Sequence, residues 1–339
     1  MPLVKNNTFN KATDSVKLAQ YAKDFAPQLI EEIYAEADFV NHFRVDNGIV
    51  NEKSFPKIGA TAILEPYTGT TTPNGGKYQY SDRKLTVKVG QSYLFVDPED
   101  ARQLYFATAA NKIKSGKVLH EEIVTRKILE DVLDQMNTKC FYKGDAAGVN
   151  ADKAFVTFDG LEKQLIACMA ADLVTDKTNS IVPVVTPAFQ PGMGFGNTVS
   201  NWGNTIENIK KVDGAHSLSR KSFSRDVFVN HDIFSQYIED YRRRHGNEAK
   251  FQKENDNDFG FVFLDGTSQK AKLRPATWLG TSQRIISCIP GAIVAGTDTA
   301  SMVGDIKVQE EDFLIKYLLK VVFGVQIIDP SCVKVNTLA

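Results

Sequence analysis

The sequence predicts an α+β fold, and three observations support this prediction. Residues 77–96 are rich in strand formers, with Leu85, Val87 and Val89 in one parity, which is typical of a half-buried strand. Residues 117–140 repeat apolar side chains at three- and four-residue intervals, which is typical of an amphipathic helix. The last part of the chain holds three strand-like runs, CIPGAIVAGT, DFLIKYLLKVVFGVQII and CVKVN. Helix and strand signals of this kind, without internal repeats, indicate an α+β protein.

The composition is that of a globular protein. The chain has 339 residues, of which 42% are hydrophobic, and this is enough for a large buried core shared between two domains of ordinary size. The 40 Lys and Arg residues balance 41 Asp and Glu residues, which gives a formal net charge of -1. No overall basic field therefore attracts the chain to nucleic acid or to anionic lipid.

The cysteines and the apolar runs bear on the cellular compartment. Cys140, Cys168, Cys288 and Cys332 are far apart in sequence and form no C-x-x-C pair, which predicts reduced thiols of a cytosolic product. The first residues lack an apolar signal segment, and no run of about 18 apolar residues occurs in the chain. We therefore expect neither secretion nor membrane spanning.

The first predicted element is an N-terminal helical arm. Residues 13–40 show helical spacing of apolar side chains, interrupted at Pro27. Because proline lacks an N–H and its ring clashes with the preceding turn, the pattern predicts one or two helices.

A long hairpin is predicted next. Residues 44–66 and 77–96 are rich in strand formers, and the stretch EPYTGTTTPNGGKYQYS, Glu65–Ser81, lies across their junction with the turn residues Pro73, Asn74, Gly75 and Gly76. Two arms of roughly 15 residues would extend about 50 Å. An isolated two-stranded ribbon is marginal in water, so it either packs on another subunit or folds back into its own domain.

A helical region follows the hairpin. The sequence DPED, residues 97–100, combines a helix N-cap, a first-turn proline and two acidic residues, which predicts a helix start. After Gly116, the residues from 117 to 140 form a long amphipathic helix that ends at the loop YKGDAAG. We call residues 117–140 the spine helix; its candidate structural residues are Arg126, Leu129, Asp131, Leu133 and Met136.

Residues 155–305 alternate helical and strand-like segments. The clearest is RDVFVNHDIFSQYIEDYRRRHGN, which predicts a strand around Val227–Val229, a helix capped by Asn230 or Asp232, and a helix end before Gly246. Three arginines in the last turn are explained by the helix dipole, which is a simpler interpretation than a phosphate site. SIVPVVTPAFQPGMGFGN predicts an apolar strand followed by a glycine loop.

Motifs of catalysis or ligand binding are weak in this chain. Gly192, Gly194 and Gly196 are spaced G-x-G-x-G, without a clear following helix. The sequence from His120 to Glu122 lacks the second histidine of a zinc-protease helix, and Asp256 and Asp258 lack the closing glutamate of a calcium loop. None of the five histidines has a recognisable nucleophile next to it in sequence. We therefore predict no catalytic, metal or cofactor-binding residues, and no enzyme activity.

The order of the elements resembles a known family. An N-terminal helical arm, a ribbon with a Gly, Pro and Thr tip, the DPED helix, the spine helix ending in FYKGDAAG, and then VTFDGLEKQL, DVFVNHDIFSQYIEDYR, GTDTASM and VVFGVQIIDPSCV follow one another along nearly the entire chain. This order is similar to that of the major capsid proteins of tailed bacteriophages, which have the HK97-like fold.

The resemblance implies a division of the chain. Residues 1–43 correspond to the N-terminal arm, 44–96 to the extended loop, 97–155 with 306–339 to the peripheral domain, and 156–305 to the axial domain. It also implies that the loop tip contacts a neighbouring subunit through Thr70, Thr72, Pro73, Asn74, Gly75, Gly76 and Lys77. Some relatives cross-link a lysine to an asparagine; Lys77 and Lys84 lie in the ribbon, but no partner is identified and we expect no such bond.

Partners and location follow from the same resemblance. We expect self-assembly into hexamers and pentamers, a separate scaffold protein if one is used, and portal and head-completion or decoration proteins. The shell would enclose double-stranded DNA without sequence-specific binding, as part of a virion assembled in the host bacterial cytoplasm, with no membrane partner.

Two alternatives remain open. One is an encapsulin-like nanocompartment, which shares the fold and encloses protein cargo. The other is a two-domain soluble enzyme that binds a ligand at the loop 190–200 and forms a small oligomer.

Overall fold

The computed structural model describes ten stretches of the chain, which are residues 38–61, 77–96, 120–170, 180–190, 203–246, 249, 251–252, 260–298, 303–311 and 314–337. The predicted helices of residues 13–37, the DPED helix start and the hairpin tip lie outside these stretches. Among the described residues, no helix is long and apolar enough to cross a membrane.

Six α-helices are described. They are α1 (Asp38–His42), α2 (His120–Gln135), α3 (Leu161–Ala170), α4 (Thr205–Gly214), α5 (Leu218–Lys221) and α6 (His231–His245). Short 3-10 helices occupy Lys153–Val156, Thr277–Leu279 and Pro330–Cys332. The predicted caps of α6 are confirmed, because the Asn230 side chain accepts a hydrogen bond from the Ile233 amide at 2.7 Å and Gly246 has a φ of 69°.

A five-stranded sheet is built around the longest strand, β12. It contains β1 (Arg44–Asp46), β4 (Lys88–Val96), β10 (Ile293–Gly296), β11 (Val303–Glu311) and β12 (Leu314–Ile327). Strand β12 pairs antiparallel with β4, β10 and β11, and β1 pairs parallel with β10. Residues 321–325 of β12 are all buried, which explains why VVFGV is a continuous apolar run without alternation.

A six-stranded sheet forms the second layer of β-structure. Its order is β13 (Val333–Val335), β9 (Ile286–Cys288), β5 (Arg225–Val229), β8 (Ala271–Pro275), β7 (Phe261–Phe263) and β6 (Phe251–Gln252), with only β5 and β8 parallel. Helices α4 and α6 supply Ile209, Val212 and Tyr237 to a core shared with this sheet. The predicted strand in SIVPVVTPAFQ is wrong: residues 180–190 make a single bridge, Val184 to Asn336, because Pro183 and Pro187 have no N–H to donate.

A two-stranded ribbon, β2 (Glu52–Thr61) with β3 (Lys77–Thr86), is the third β-element. Its register runs from the Glu52–Thr86 pair at the base to the Thr61–Lys77 pair at the outer end. Arms of this length extend roughly 33 Å, which is shorter than the sequence estimate, because residues 44–46 and 88–96 belong to the five-stranded sheet.

The predicted strand 77–96 changes partner near its middle. Leu85 and Val87 are buried as predicted, but Val89 is 60% exposed. The backbone leaves the ribbon at Val87 and pairs with β12 from Lys88 onward. From there Gly90 faces inward, where a Cβ would lie 2.7 Å from the ring of Phe158. The parity therefore shifts by one residue at the junction.

An aromatic cluster joins the two larger sheets. Phe141 stacks on Phe39 with 4.5 Å between ring centroids and meets Trp278 edge-on at 5.1 Å. Trp278 lies 5.4 Å from Phe228 of β5, and Phe39 lies 5.7 Å from Phe323 of β12. One continuous core therefore includes side chains of both sheets.

Candidate functional site: the ribbon and the spine helix

The ribbon is the candidate subunit-contact element. Its tip residues Thr70, Thr72, Pro73, Asn74, Gly75 and Gly76 lie outside the described residues. Lys77 is described in its backbone, where it is the first residue of β3 and pairs with Thr61. The structure therefore describes how the ribbon is attached to its own subunit and leaves the predicted tip contacts as a proposal.

The base of the ribbon is packed on its own subunit by apolar side chains. Leu85 and Val87 form a small buried cluster with Ile49, Val294 of β10 and Val322 of β12. Phe55 and Ile328 pack against this cluster. Of the two interpretations of the hairpin, packing on the same chain holds for its base.

Two glycines allow the ribbon to approach the five-stranded sheet closely. Gly296 of β10 and Gly324 of β12 are direct cross-strand partners. A Cβ on Gly296 would lie 2.8 Å from Cδ2 of Leu85, and a Cβ on Gly324 would overlap the carbonyl oxygen of Thr86. At Gly324 the added Cβ would meet backbone, so another residue there would push the ribbon away from the sheet, whereas at Gly296 it would displace the ends of the Leu85 and Ile49 side chains. We call Gly296 and Gly324 the glycine seat.

Three basic side chains of the ribbon bind groups outside it. Lys53 Nζ lies 2.8 Å from Oδ2 of Asp46 on β1, and Lys57 Nζ lies 2.6 Å from Oδ1 of Asp329. On the other arm, Arg83 donates to the carbonyl oxygen of Ile327 at 3.1 Å. One arm is thus tied to the last residue of β12 and the other to the turn that follows it.

Asp329 is the centre of that turn. Its carboxylate accepts hydrogen bonds from the Ser331 amide at 3.2 Å and from Cys332 Sγ at 3.1 Å, in addition to Lys57. Burial raises the pKa of Asp329, but the hydrogen bonds from Lys57, Ser331 and Cys332 outweigh it and lower the pKa to about 2. Arg220 of α5 donates to Ser331, so the turn also links the ribbon to the helices of the second sheet.

The structure divides the candidate residues of the spine helix between core and surface. Leu129 and Met136 are buried in the main core, and Leu133 packs against it. Arg126 is half-buried, while Asp131 is exposed and lies 3.3 Å from Lys127 Nζ one turn earlier. The apolar members of the set therefore face the core and Asp131 faces solvent, while the role of the set in a peripheral domain stays a prediction.

The spine helix ends in a π-helical turn, Met136–Cys140, which the sequence did not indicate. In this turn the Phe141 amide donates to the carbonyl oxygen of Met136 at 2.9 Å, five residues back. A π turn shifts the residues after it around the helix axis. As a result Cys140, Phe141 and Tyr142 are all buried although they are consecutive.

A buried polar chain in the second sheet was also missed. His216 Nε2 lies 2.9 Å from Ser287 Oγ, which lies 3.2 Å from Oδ1 of Asp213, and Arg225 donates two hydrogen bonds to the Asp213 carboxylate at 2.8 and 3.0 Å. All four residues are buried. Ser287 lies between His216 and Asp213, whereas a hydrolase triad places the histidine between the serine and the acid. The arrangement is therefore structural.

The structure does not describe the surroundings of the weak sequence motifs. Gly192, Gly194, Gly196, Asp256 and Asp258 lie outside the described residues, and His120 begins α2 without a described side chain. Within the described stretches, no group of three or more His, Cys, Asp or Glu residues could hold a metal ion. All four cysteines are free thiols, as predicted from their spacing.

Comparison with solved structures identifies the fold. No family model and no curated protein matches the sequence. A chain of the procapsid of satellite phage P4, solved with its size determination protein, is 9% identical and matches with a TM-score of 0.50, covering 92% of this chain and 98% of that chain. The capsid of Myoviridae phage XM1 is 13% identical with a TM-score of 0.49, covering 88% and 91%. The SrpI encapsulin of Synechococcus elongatus PCC 7942 is 9% identical with a TM-score of 0.47, covering 88% and 85%.

The match to the phage P4 procapsid covers nearly all of both chains. The α+β architecture is thus the HK97-like fold, as the order of elements in the sequence predicted.

Proposed function

We propose that this HK97-like chain is a major capsid protein of a tailed bacteriophage. Many copies assemble into pentamers and hexamers that close an icosahedral shell around double-stranded DNA. The observation that carries the proposal is the fold shared over almost the whole chain with a procapsid protein. The role of the protein is structural and needs no catalytic group.

In this proposal the ribbon makes the contact between subunits. Its base is bound to its own chain by the glycine seat and by Lys57 and Arg83, so the outer end can be presented to a neighbour. The tip residues, from Thr70 to Lys77, would contact the adjacent subunit. Because a shell repeats this contact once for every subunit, a modest interface is sufficient for stable assembly.

The remaining parts of the chain have supporting roles in the proposal. Residues 97–155 and 306–339 form the peripheral domain, which the buried face of the spine helix holds together, and residues 156–305 form the axial domain around the symmetry axes. Residues 1–43 form the N-terminal arm. Scaffold, portal and head-completion or decoration proteins are the other partners, and assembly takes place in the cytoplasm of a bacterial host.

Electron microscopy and sedimentation of the expressed chain, alone and with neighbouring phage genes, test the proposal. We expect closed shells, rings or tubes of capsomers. Deleting Thr70–Gly76 should abolish them without lowering the melting temperature of the subunit, because the strand pairs that the structure describes do not include this segment. A variant with seven Gly and Ser residues in place of Thr70–Gly76 keeps the length and tests whether the side chains matter.

The outcomes separate the competing functions. A stable monomer or dimer under every condition, with the deletion harmless, would refute the capsid proposal. Shells that protect DNA from nuclease support a phage capsid, whereas shells that contain a co-purifying enzyme and no DNA indicate a nanocompartment.

A further inference from the structure

The ribbon is attached to its own subunit at two places, and together they restrict the direction in which it projects. At the glycine seat, the backbone of Thr86 and the side chain of Leu85 lie directly on β12 and β10. Toward the tip, Lys57 on one arm and Arg83 on the other reach the segment from Ile327 to Asp329. A hairpin held at a single point can rotate about it, but a hairpin held at two separated points has a defined direction.

The Lys57–Asp329 ion pair is well suited to fix the angle between the ribbon and the rest of the subunit. The Lys57 and Asp329 side chains are only 23% and 31% exposed, so their interaction is screened less than that of a surface pair. Asp329 is itself held by Ser331 and Cys332, and Ser331 is held by Arg220. The ion pair therefore connects the ribbon to a turn that is itself hydrogen-bonded to α5.

Four further pairs, from Ile58–Tyr80 to Thr61–Lys77, extend beyond Lys57. They add roughly 13 Å of ribbon before the tip begins. A rotation of about 20° at Lys57 would move the outer pair by about 5 Å, which is comparable to the spacing between neighbouring strands.

We infer that the glycine seat and the Lys57–Asp329 ion pair set the angle at which the ribbon leaves the subunit, and that this angle directs the tip toward a second copy of the chain. The first part concerns the subunit alone. The second part rests on the proposed function.

Pulsed electron paramagnetic resonance on unassembled full-length subunits measures the angle. Spin labels are attached through unnatural amino acids at residue 79 of the outer ribbon and at Leu218 of α5, which is 87% exposed. This labelling leaves the native cysteines unchanged. The width of the distance distribution then reports how firmly the ribbon is held.

The ion-pair variants have a matched control on the same ribbon. Lys57→Met and Asp329→Asn should widen the distribution at least twofold, and Lys57→Arg, which keeps the cation, should leave it narrow. Lys84→Met breaks the exposed Lys84–Glu52 pair, which lies within the ribbon, and should have no effect. Equal widths in all five proteins, wild type included, would overturn the role of the ion pair.

Two glycine substitutions, a test and a control, examine the glycine seat. In Gly324→Ala the new methyl group overlaps Thr86, so the mean distance should shift by several ångströms. In Gly214→Ala, at the end of α4, nothing lies within 4 Å of the new Cβ and the distance should stay unchanged. Circular dichroism confirms that both variants fold. A Gly324→Ala protein that is folded and shows the wild-type distance contradicts the seat.

Electron microscopy of the same variants tests separately whether the angle of the ribbon affects shell assembly. Aberrant or absent shells from Lys57→Met, with normal shells from Lys84→Met, support the directing role. Normal shells from a variant with a measured change of angle contradict that role without affecting the angle result. A wild-type chain that never assembles refutes the proposed function and leaves the distances valid.

Discussion

His216 shows how burial makes a single side chain sensitive to pH. Burial lowers the pKa of His216 to about 4, with Arg225, Lys334 and Arg220 acting in the same direction and Asp213 opposing them. Its ring nitrogen contacts Ser287 between α4 and β9. A proton on the ring would place a poorly solvated cation near Arg225 and Lys334.

We expect the free energy of unfolding to fall as the pH decreases through this range. The unfolded histidine has a pKa of about 6.5, so the folded state loses stability between about pH 6.5 and pH 4, by at most about 3 kcal/mol. Urea unfolding at pH 7, 5.5 and 4.5 measures this loss. His216→Gln should reduce the pH dependence, and His245→Gln, on the exposed end of α6, should preserve it. An identical pH dependence in the His216→Gln protein would contradict the assignment.

Asp329 also has a folded pKa below the ordinary value for its type, but because its hydrogen-bond partners favour the charged form, its contribution to stability is lost in a more acidic range. Its contribution is complete above about pH 4 and is lost only as the pH falls toward 2. The attachment of the ribbon is therefore more resistant to mild acid than the buried chain of His216. The partners of Asp329 and of His216 could not be predicted from the sequence, since Lys57 and Asp329 are 272 residues apart and His216 and Ser287 are 71 residues apart.

At the scale of elements, one face of the spine helix contributes to the stability of the core and another face is exposed to solvent. Met136 is buried in the π turn, so Met136→Ala should destabilise the protein by about 2–5 kcal/mol. Asp131→Ala removes only an exposed pair with Lys127 and should cost less than about 0.5 kcal/mol. Thermal and urea unfolding measure both changes. Equal costs for the two variants would mean that this face of the helix is not the core face.

Helices were easier to predict from the sequence than strand partners. The start of α6 is encoded locally by Asn230 and its end by Gly246, and both are confirmed. The course of residues 77–96 depends on β12, more than 200 residues later, and on the small size of Gly90 and Gly324. Local alternation predicts that a strand exists, but it does not reveal where the strand exchanges one partner for another.

At the scale of the whole molecule, the aromatic cluster predicts that both sheets unfold together. Phe323 and Phe228 contact the same group of rings around Trp278 and Phe39. In a Trp202→Phe background, fluorescence of Trp278 and far-ultraviolet circular dichroism should give coincident transitions. Phe323→Ala should cost about 3–5 kcal/mol and separate the two transitions. Separate transitions in the parent protein would show that the cluster does not couple the sheets.

The order of elements was sufficient to predict the HK97-like fold, although no single motif was specific. The fold is reflected in the succession of hairpin, long helix and closing strands, and these come from hydrophobic periodicity and turn residues. The glycine seat and the buried His216 chain depend on residues that only the folded chain brings together. They could not be recognised as a group in the sequence.

The glycine seat has a consequence for the time course of synthesis. The ribosome makes the ribbon more than 200 residues before it makes Gly296, Gly324 and Asp329; Gln326 reaches Lys84 across 242 residues. Until then the ribbon has no surface of its own subunit to rest on. A nascent chain therefore cannot present the ribbon at its final angle before the residues up to Asp329 have been synthesised.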